Sequence, residues 1–299
     1  MRQRVKQIIM VIIIVLLLPY VITIFMNGSS IETNGTIDDV YLKVKKEKKI
    51  IKIPLQEYCI GVLAKEIKPN YKEQALQAQA VIVRTSIYRQ IEEKGKKLVC
   101  EEAYWTQQEM LDKWGTVKFN IYYNKLQDAW IETEGEVIVY DDKLIVAPFH
   151  QLNNGSTRNG NEVLCSKEYP YLQMKESTLD LESKEQMKIT ELGKLDKYPS
   201  AEVLESDSAG YVKRVKVGET IYTGEEFRDI HQLVSSCFTF QEYNGKLRVV
   251  TKGVGHGLGM SQYSANEMAK DGKSHTEILQ YYFDAIQIKE VAEILLNIE

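Results

Sequence analysis

Residues 8–26 read IIMVIIIVLLLPYVITIFM, a run of 19 residues without a charged side chain. As a helix rising about 1.5 Å per residue, this run just spans a hydrocarbon layer of ~30 Å. A cleaved signal peptide usually has a shorter apolar stretch and small residues at its cleavage site, whereas this run leads into MNGSS. The sequence therefore predicts an N-terminal transmembrane helix that remains attached to the protein.

The basic residues around this stretch predict its orientation. Arg2, Arg4 and Lys6 precede it, and the next basic residue after it is Lys43. Positive charge is favoured on the cytoplasmic side of a membrane. Residues 1–7 are therefore expected to be a cytoplasmic tail, and everything after the anchor is expected to lie outside the cell membrane.

Two segments follow the predicted anchor. Residues 27–40 are rich in Gly, Ser, Asn and Thr, as in a flexible spacer, and residues 41–299 would form a single extracytoplasmic domain. Beyond the anchor, 42 acidic residues stand against 35 basic ones, a formal charge of −7, which argues against a nucleic-acid partner. The four cysteines contain no CxxC pair and allow three full pairings, so the sequence assigns no disulfide.

The domain mixes strand and helix patterns without a repeating βα unit, which predicts an α+β fold with a substrate cleft. A lysine-, glutamate-, serine- and aspartate-rich stretch at 175–208 is predicted to be a solvated excursion. The expected elements are strands within 41–54, a helix from Pro54 to Glu66 that ends before Pro69, a long central helix over 73–93, a hairpin over 135–150 turning at Asp141 and Asp142, a hairpin entering a helix over 210–230, and helical spacing over 261–282.

Glu66 lies at the end of the first predicted helix, beside the break that Pro69 imposes. Cys59, Val62 and Leu63 precede it by seven, four and three residues, which places Glu66 on the apolar face of the helix. A half-buried carboxyl next to a loop is typical of a catalytic acid. The alternative is a solvated or salt-bridged glutamate.

The segment GVGHGLGMSQY at 253–263 does not match GxGxxG, and Ser261 lacks the glycine pattern of a nucleophile elbow. There is no HExxH motif, which leaves a protease-type zinc site with little support. Alternating glycines let the backbone approach a ligand or another strand closely, and His256, Ser261, Gln262 and Tyr263 beside them suit a sugar chain. The alternative is a glycine-rich strand end with a core histidine.

Three blocks of sequence, in order, resemble the stage II sporulation protein D family. The first block has a long alanine-rich helix, the second a hairpin and a polar loop, and the third a GHGxGMSQY signature with a terminal helix. They read PLQEYCIGVLAKEIKPNYKEQALQAQAVIVRTSIY, GEVIVYDDKLIVAPFHQLNNGSTRN and VGHGLGMSQYSANEMAKDGKSHTEILQYYF.

The resemblance implies a membrane-anchored lytic transglycosylase that cleaves peptidoglycan glycan strands between N-acetylmuramic acid and N-acetylglucosamine during forespore engulfment, leaving a 1,6-anhydro end. No cofactor is expected. It also implies a sporulation cell-wall amidase and a multi-spanning membrane scaffold as partners. The implied catalytic residue is Glu66, and the implied substrate-binding residues are Gln79, Arg84, His150, Asn154, Ser156 and Thr157.

Two segments depart from the family pattern. QLNNGST stands where the family usually has a Ser/Thr/Gly loop, which affects the subsites. Some family members carry a cysteine and a His-Cys pair that could bind zinc, whereas this sequence keeps Cys100 but reads EEAYWTQ at the pair. No metal site is therefore predicted.

Two other functions remain open at this stage. A hydrolytic muramidase would need a second carboxylate, for which Glu57, Glu73 and Asp271 are available. A non-catalytic glycan-binding scaffold that recruits a cell-wall amidase would need Glu66 only as a hydrogen-bond acceptor.

Overall fold

The computed structural model of the protein describes residues 41–46, 48–101, 103–198 and 200–295. These described residues form one compact unit. The predicted tail, anchor and spacer lie outside the described residues. None of the helices in the described ranges is long and apolar enough to cross a membrane.

Helices and mostly antiparallel strands alternate irregularly along the domain, so the α+β fold class is confirmed for the chain from residue 41 on. The helices are α1 (Leu55–Glu66), α2 (Glu73–Lys94), α3 (Gln107–Glu132), α4 (Gly160–Val163), α5 (Gly224–Ile230), α6 (Gln262–Lys270), α7 (His275–Tyr282) and α8 (Val291–Leu295), with 3-10 turns at Gly95–Lys97, Thr178–Glu182 and Leu195–Lys197. The strands are β1 (Tyr41–Lys46), β2 (Lys49–Pro54), β3 (Glu136–Tyr140), β4 (Lys143–Leu144), β5 (Phe149–His150), β6 (Met187–Lys194), β7 (Ala201–Ser206), β8 (Val212–Val217), β9 (Thr220–Thr223), β10 (Phe238–Tyr243), β11 (Lys246–Lys252), β12 (Met260–Ser261) and β13 (Gln287–Glu290).

The strands of the described residues pair into small sheets rather than one large sheet. Their orders are β1-β2, β13-β3-β4, β12-β5, β7-β8-β9 and β10-β11-β6. The short β12–β5 pair is parallel, and it joins the glycine-rich segment to the strand that carries His150. Two distant parts of the sequence therefore meet at this pair.

The bounds of helix α1 are those that the two prolines of the sequence predict: it begins directly after Pro54 and ends before Pro69. Pro54 closes β2 in an extended conformation and Leu55 starts the helix. After Glu66 the backbone of Ile67 is extended, which is where a proline two residues on requires the helix to stop. Cys59, Val62 and Leu63 are fully buried, so the predicted apolar face is correct.

Helix α2 lies at the centre of the main core. Its small residues Ala75, Ala78 and Ala80 are fully buried and allow close approach by other elements. It packs against α1, α3, α6, α7 and β3. The end of α1 and the start of α6, which both carry predicted site residues, are thereby held on one framework.

A second, smaller core lies between the sheets β10-β11-β6 and β7-β8-β9 and helix α5. It consists of buried apolar residues from these elements: Val212, Val215, Phe227, Leu233, Phe238 and Val249. The stretch 175–208, predicted to be a solvated excursion, is exposed or half-buried at most of its positions, but it contains the regular strands β6 and β7. Most residues of these strands are exposed or only half-buried, which explains their polar composition.

Arg84 is part of the main core, not of a surface. It is 2% exposed, its Nη2 donates to the Trp130 carbonyl (2.7 Å), and its Nη1 donates to Thr133 Oγ1 (3.2 Å). Nη1 also donates to the Glu136 carbonyl, and the guanidinium stacks on the Trp130 ring at 3.9 Å. This arrangement does not bring Arg84 into contact with substrate, because the guanidinium is buried and makes three hydrogen bonds inside the protein.

Replacing Arg84 by lysine should destabilise the fold by about 3 kcal/mol, because an ammonium group cannot reproduce the planar, bidentate and stacked contacts of a buried guanidinium. Arg89→Lys on the same helix is the matched control, since Arg89 forms a half-exposed pair with Glu93 and should change stability by less than about 0.5 kcal/mol. Urea unfolding of both variants measures the difference. Equal stability would show that Arg84 has no structural role.

Candidate active site

An open cleft of about 500 Å³ lies where the end of α1 meets β5, the glycine-rich segment and the start of α6. Its walls come from four separate parts of the chain that the core brings together. The residues that line it are Lys65, Glu66, Pro148, Phe149, His150, Gln151, Gly255, His256 and Gln262. Four of the predicted site residues thus meet in one cavity: Glu66, His150, His256 and Gln262.

Glu66 is the last residue of α1, and it lines this cleft. Its side chain is 32% exposed, and its Oε1 lies 3.9 Å from Lys65 Nζ. The carboxyl therefore reaches solvent, while the backbone that carries it is fixed. The Glu66 carbonyl accepts a hydrogen bond from Gln262 Nε2 at 3.0 Å.

Gln262 connects the cleft to the central helix. Besides its bond to Glu66, its Nε2 donates to Gln79 Oε1 at 3.1 Å. Gln79 is fully buried on α2 behind the cleft and does not line it. The predicted substrate contact of Gln79 is replaced here by a supporting role, in which its amide oxygen orients the amide of Gln262.

His150 is buried, and both of its ring nitrogens have partners. Nδ1 donates to the Leu258 carbonyl at 2.9 Å, and Nε2 accepts from the side-chain amide of Asn153 at 3.3 Å. These partners select the tautomer that carries its proton on Nδ1. Burial, together with the neighbouring His256, lowers the pKa of His150 to about 3, so the ring is neutral at pH 7.

His256 stands edge-on to His150, with 5.9 Å between the ring centroids. Its Nδ1 accepts a hydrogen bond from the Leu258 backbone at 3.1 Å. Burial, and secondarily the charge of Arg228, lowers the pKa of His256. Both imidazoles are therefore uncharged near neutral pH, which leaves Lys65 as the basic side chain among the lining residues.

The glycine-rich segment packs closely against the strand that carries His150. Leu152 and Val254 exchange backbone hydrogen bonds of 3.0 and 2.7 Å, and the Met260 amide donates to the Pro148 carbonyl at 3.0 Å. A Cβ on Gly259 would stand 2.0 Å from that carbonyl oxygen. Of the two possibilities that the sequence left open, a close approach to a ligand or to another strand, the structure shows the approach to a strand.

Three residues of the polar loop after β5 lie outside the cleft lining. The Asn154 side-chain amide donates to the Ala209 carbonyl at 2.7 Å, and the backbone of Ser156 forms an isolated β-bridge with Glu176. Thr157 is buried, and its hydroxyl group exchanges hydrogen bonds with the backbone of the segment at 173–175. These contacts hold the loop against the rest of the domain. Asn154, Ser156 and Thr157 are thus not brought into the cleft with Glu66, and their contact with substrate stays a prediction.

Ser261 and Tyr263 also face other parts of the protein. Ser261 is fully buried, and its Oγ donates to Asp180 Oδ1 at 2.8 Å. Tyr263 is half-buried outside the cleft lining, and its backbone amide donates to the Gln151 carbonyl at 3.2 Å. Neither side chain is brought into the cavity with Glu66.

Asp180 was not singled out from the sequence, although it organises this region. It is fully buried and accepts hydrogen bonds from Ser261, from Ser264 Oγ (2.7 Å) and from the backbone amide of Asn153 (2.7 Å). Burial raises the pKa of Asp180, against the effect of these hydrogen bonds. Asn153 in turn contacts His150, so Asp180 supports the cleft from behind.

Comparisons with known proteins agree with this arrangement of blocks. The stage II sporulation protein family profile matches residues 43–140. A stage II sporulation protein D of Bacillus subtilis (strain 168) is 34% identical over 268 residues, which cover 82% of this chain and 77% of that protein. The chain belongs to this family. The resemblance predicted from the three sequence blocks is thereby confirmed.

Two other relatives show how far the similarity to this family extends. A stage II sporulation protein D of Bacillus amyloliquefaciens is 31% identical over 265 residues, covering 81% of this chain and 76% of that protein. An amidase enhancer of Bacillus subtilis (strain 168) is 26% identical over 289 residues, covering 75% of this chain but 39% of that protein. Both matches extend over three quarters of this chain or more.

The buried neutral state of His150 should make the fold less stable in mild acid. Its pKa is depressed in the folded state, so the unfolded chain binds the proton more readily below pH 6.5 and stability falls as pH falls toward 3. Between pH 7 and pH 5 the contribution of His150 is about 2 kcal/mol. Denaturant unfolding of wild type and His150→Gln at both pH values should show a smaller loss in the variant, whereas equal losses would contradict a buried neutral imidazole.

The close approach at Gly259 predicts a strong effect of a single methyl group. Gly259 (φ +66°) and Gly218 (φ +59°) share a left-handed backbone, but a Cβ on Gly218 would meet nothing within 4 Å. Gly218→Ala should therefore lose about 1–2 kcal/mol, and Gly259→Ala at least ~2 kcal/mol more. Thermal unfolding of both variants measures this difference, and similar losses would show that the contact with Pro148 can relax freely.

Proposed function

We propose that this domain is a lytic transglycosylase of peptidoglycan glycan strands, with Glu66 as its catalytic residue. The observation that supports this most directly is that Glu66 is the one carboxylate among the described residues lining the cleft. A reaction that proceeds with a single acid–base group fits that lining. The cleft is also open, as a site for an extended chain must be.

In this proposal Glu66 donates its proton to the glycosidic oxygen between N-acetylmuramic acid and N-acetylglucosamine, and the leaving sugar departs with that proton. The C6 hydroxyl of the muramic acid ring then attacks the positively charged anomeric carbon. Its proton passes to the Glu66 carboxylate, which restores the acid. The products are a 1,6-anhydro end and a free hydroxyl, with no water consumed and no cofactor required.

The other lining residues supply neutral contacts for such a substrate. The side-chain amide of Gln151 offers hydrogen bonds to hydroxyl and acetamido groups without adding charge, and Phe149 offers an apolar surface to a sugar ring. Lys65 contributes a positive charge for the carboxylate that muramic acid carries. This set of side chains is more suited to a glycan than to a phosphorylated ligand.

The hydrolytic alternative has one observation in its favour. Glu57, Glu73 and Asp271 do not line the cleft, but Glu185 contacts one of its lining residues: it accepts a hydrogen bond from the Gln151 side-chain amide and pairs with Lys68 at 2.9 Å. A second carboxylate at this place could activate water. Glu185 is therefore the residue whose replacement separates hydrolysis from transglycosylation.

The scaffold alternative is favoured by the likeness to a protein named amidase enhancer. In that case the domain would bind glycan and recruit a cell-wall amidase without cleaving strands. We propose the amidase as a partner of the enzyme rather than as a replacement for its activity, together with a multi-spanning membrane scaffold. The cleft would then work outside the cell membrane, on a chain held by residues 8–26, in the cell-wall remodelling of sporulation.

The test is mass spectrometry of purified glycan strands after incubation with a chain that starts at residue 27, which retains the whole compact unit. Wild type should release anhydro-muramyl ends. Glu66→Gln should reduce their rate of formation by about 100- to 10,000-fold, the usual contribution of a general acid, whereas Glu185→Gln should leave it within a few-fold.

Other products would identify the alternatives. Reducing ends that disappear in Glu185→Gln would show a two-carboxylate hydrolase. Intact strands bound equally by wild type and Glu66→Gln, with amidase activity increased by both, would show a scaffold.

A further inference from the structure

The β1–β2 hairpin has a charge opposite to that of the rest of the domain. Residues 41–54 contain six lysines and one acidic residue, a formal charge of +5. The other residues from 27 onwards carry 29 basic and 41 acidic side chains, a formal charge of −12. Positive charge is therefore concentrated at the first described element of the fold.

The alternation of the strands places several of these lysines on one outward face. Leu42 and Val44 of β1 are buried, whereas the residues between and beside them are exposed. In the antiparallel register, Lys43 stands directly opposite Lys52, and Lys45 stands opposite Ile50. We call the exposed side the outer hairpin face; it consists of Tyr41, Lys43, Lys45, Ile50 and Lys52.

Like charges in directly opposed positions of a strand pair destabilise the pair. Lys43 and Lys52 are such a pair, so the outer hairpin face is not optimised for the stability of the hairpin alone. Among its lysines, Lys45 forms an exposed ion pair with Glu101 at 3.0 Å. An exposed pair of this kind contributes little free energy and is easily exchanged for another anion.

Lysines on a sheet often serve to block edge-to-edge aggregation. That explanation fits Lys52 on β2, but it does not fit β1, which has partners on both sides. Besides pairing with β2, β1 makes two backbone hydrogen bonds with Cys100. The Lys45 amide donates to the Cys100 carbonyl (2.9 Å), and the Cys100 amide donates to the Lys43 carbonyl (2.8 Å). Lys43 and Lys45 therefore do not protect a free edge.

Large apolar side chains accompany the lysines on this face. Tyr41 is 63% exposed and Ile50 62% exposed, so both side chains are accessible to another surface beside the lysines. A tyrosine, an isoleucine and several lysines on one surface form the combination that binds the interface of an anionic bilayer, where ammonium groups meet phosphates and apolar groups enter the acyl boundary.

We propose that the outer hairpin face binds the anionic phospholipid surface of a membrane. A soluble phosphodiester polymer would satisfy the lysines equally well, but it would leave Tyr41 and Ile50 in water. The bilayer accounts for both kinds of side chain. This binding is independent of the chemistry proposed for Glu66, and it would hold the start of the folded domain against the membrane.

The experiment uses the chain from residue 27 onwards, which lacks the apolar stretch at 8–26, and co-sedimentation with vesicles of phosphatidylcholine with or without 30% phosphatidylglycerol. Wild type should bind the anionic vesicles only, and less at high salt. Neutralising the face with Lys43→Gln, Lys45→Gln and Lys52→Gln should lower the partition coefficient by about a hundredfold. Tyr41→Ser with Ile50→Ser, which leaves the charge unchanged, should lower it about tenfold.

The matched control is Lys167→Gln, Lys184→Gln and Lys188→Gln, which makes the same change in net charge at exposed positions elsewhere and should bind like wild type. Circular dichroism verifies that every variant is folded. Failure of wild type to bind anionic vesicles, or equal loss in the control, would overturn the proposal. Binding of a soluble glycerol-phosphate polymer as tightly as vesicles, unaffected by the Tyr41 and Ile50 changes, would also overturn it in favour of a wall polymer.

Discussion

The close packing of the glycine-rich segment against the strand before it is the contact on which the cleft depends. Residues 253–259 and 148–154 approach each other so closely that side chains at three of the glycines would overlap the facing chain: Gly253 with the Leu152 carbonyl, Gly255 with the His150 Cβ and Gly259 with the Pro148 carbonyl. This contact places His150 and His256 side by side. It also delivers Gln262 to the end of α1, where its amide fixes the Glu66 backbone. Without it, the catalytic candidate and its neighbours would belong to separate parts of the fold.

A second level of support lies behind the cleft and consists of a network of buried polar groups centred on Asp180. Asp180 accepts hydrogen bonds from Ser261, Ser264 and the backbone of Asn153. The side chain of Asn153 in turn donates a hydrogen bond to His150. Such a network is rigid because each buried group would lose free energy if its partner moved. The shape of the cleft is thus determined by residues that do not line it.

Much of the fold around the cleft could be predicted because its signals are local. Pro54 and Pro69 mark the ends of α1, and Asp141 and Asp142, both with positive φ, form the turn between β3 and β4. Helix α3 was not predicted, although Thr106 and Glu109 form a capping box at its start. Its interior has only four buried residues and a non-helical glycine at 115, so the apolar periodicity that identifies a helix is weak.

The site was predictable only in part, for a different reason. A sequence motif records which residues a family retains, but it does not distinguish a side chain that contacts substrate from one that holds the fold. Arg84, Thr157 and Ser261 belong to the three blocks that carry the family resemblance, as Glu66 does, yet their polar atoms are directed to carbonyls and carboxylates inside the protein. Burial depends on the tertiary arrangement of distant segments, and the sequence pattern carries no direct measure of it.

The burial of the two histidines also limits how the cleft responds to pH. The pKa of His150 is lowered to about 3 and that of His256 is lowered as well, mainly because burial disfavours the charged ring. His150 makes two hydrogen bonds, from its Nδ1 to the Leu258 carbonyl and from the Asn153 side-chain amide to its Nε2. Their directions therefore persist through the pH range in which a free imidazole would titrate. A pH dependence of activity between 6 and 8 would then have to originate in groups other than His150, whose hydrogen bonds keep their directions throughout that range.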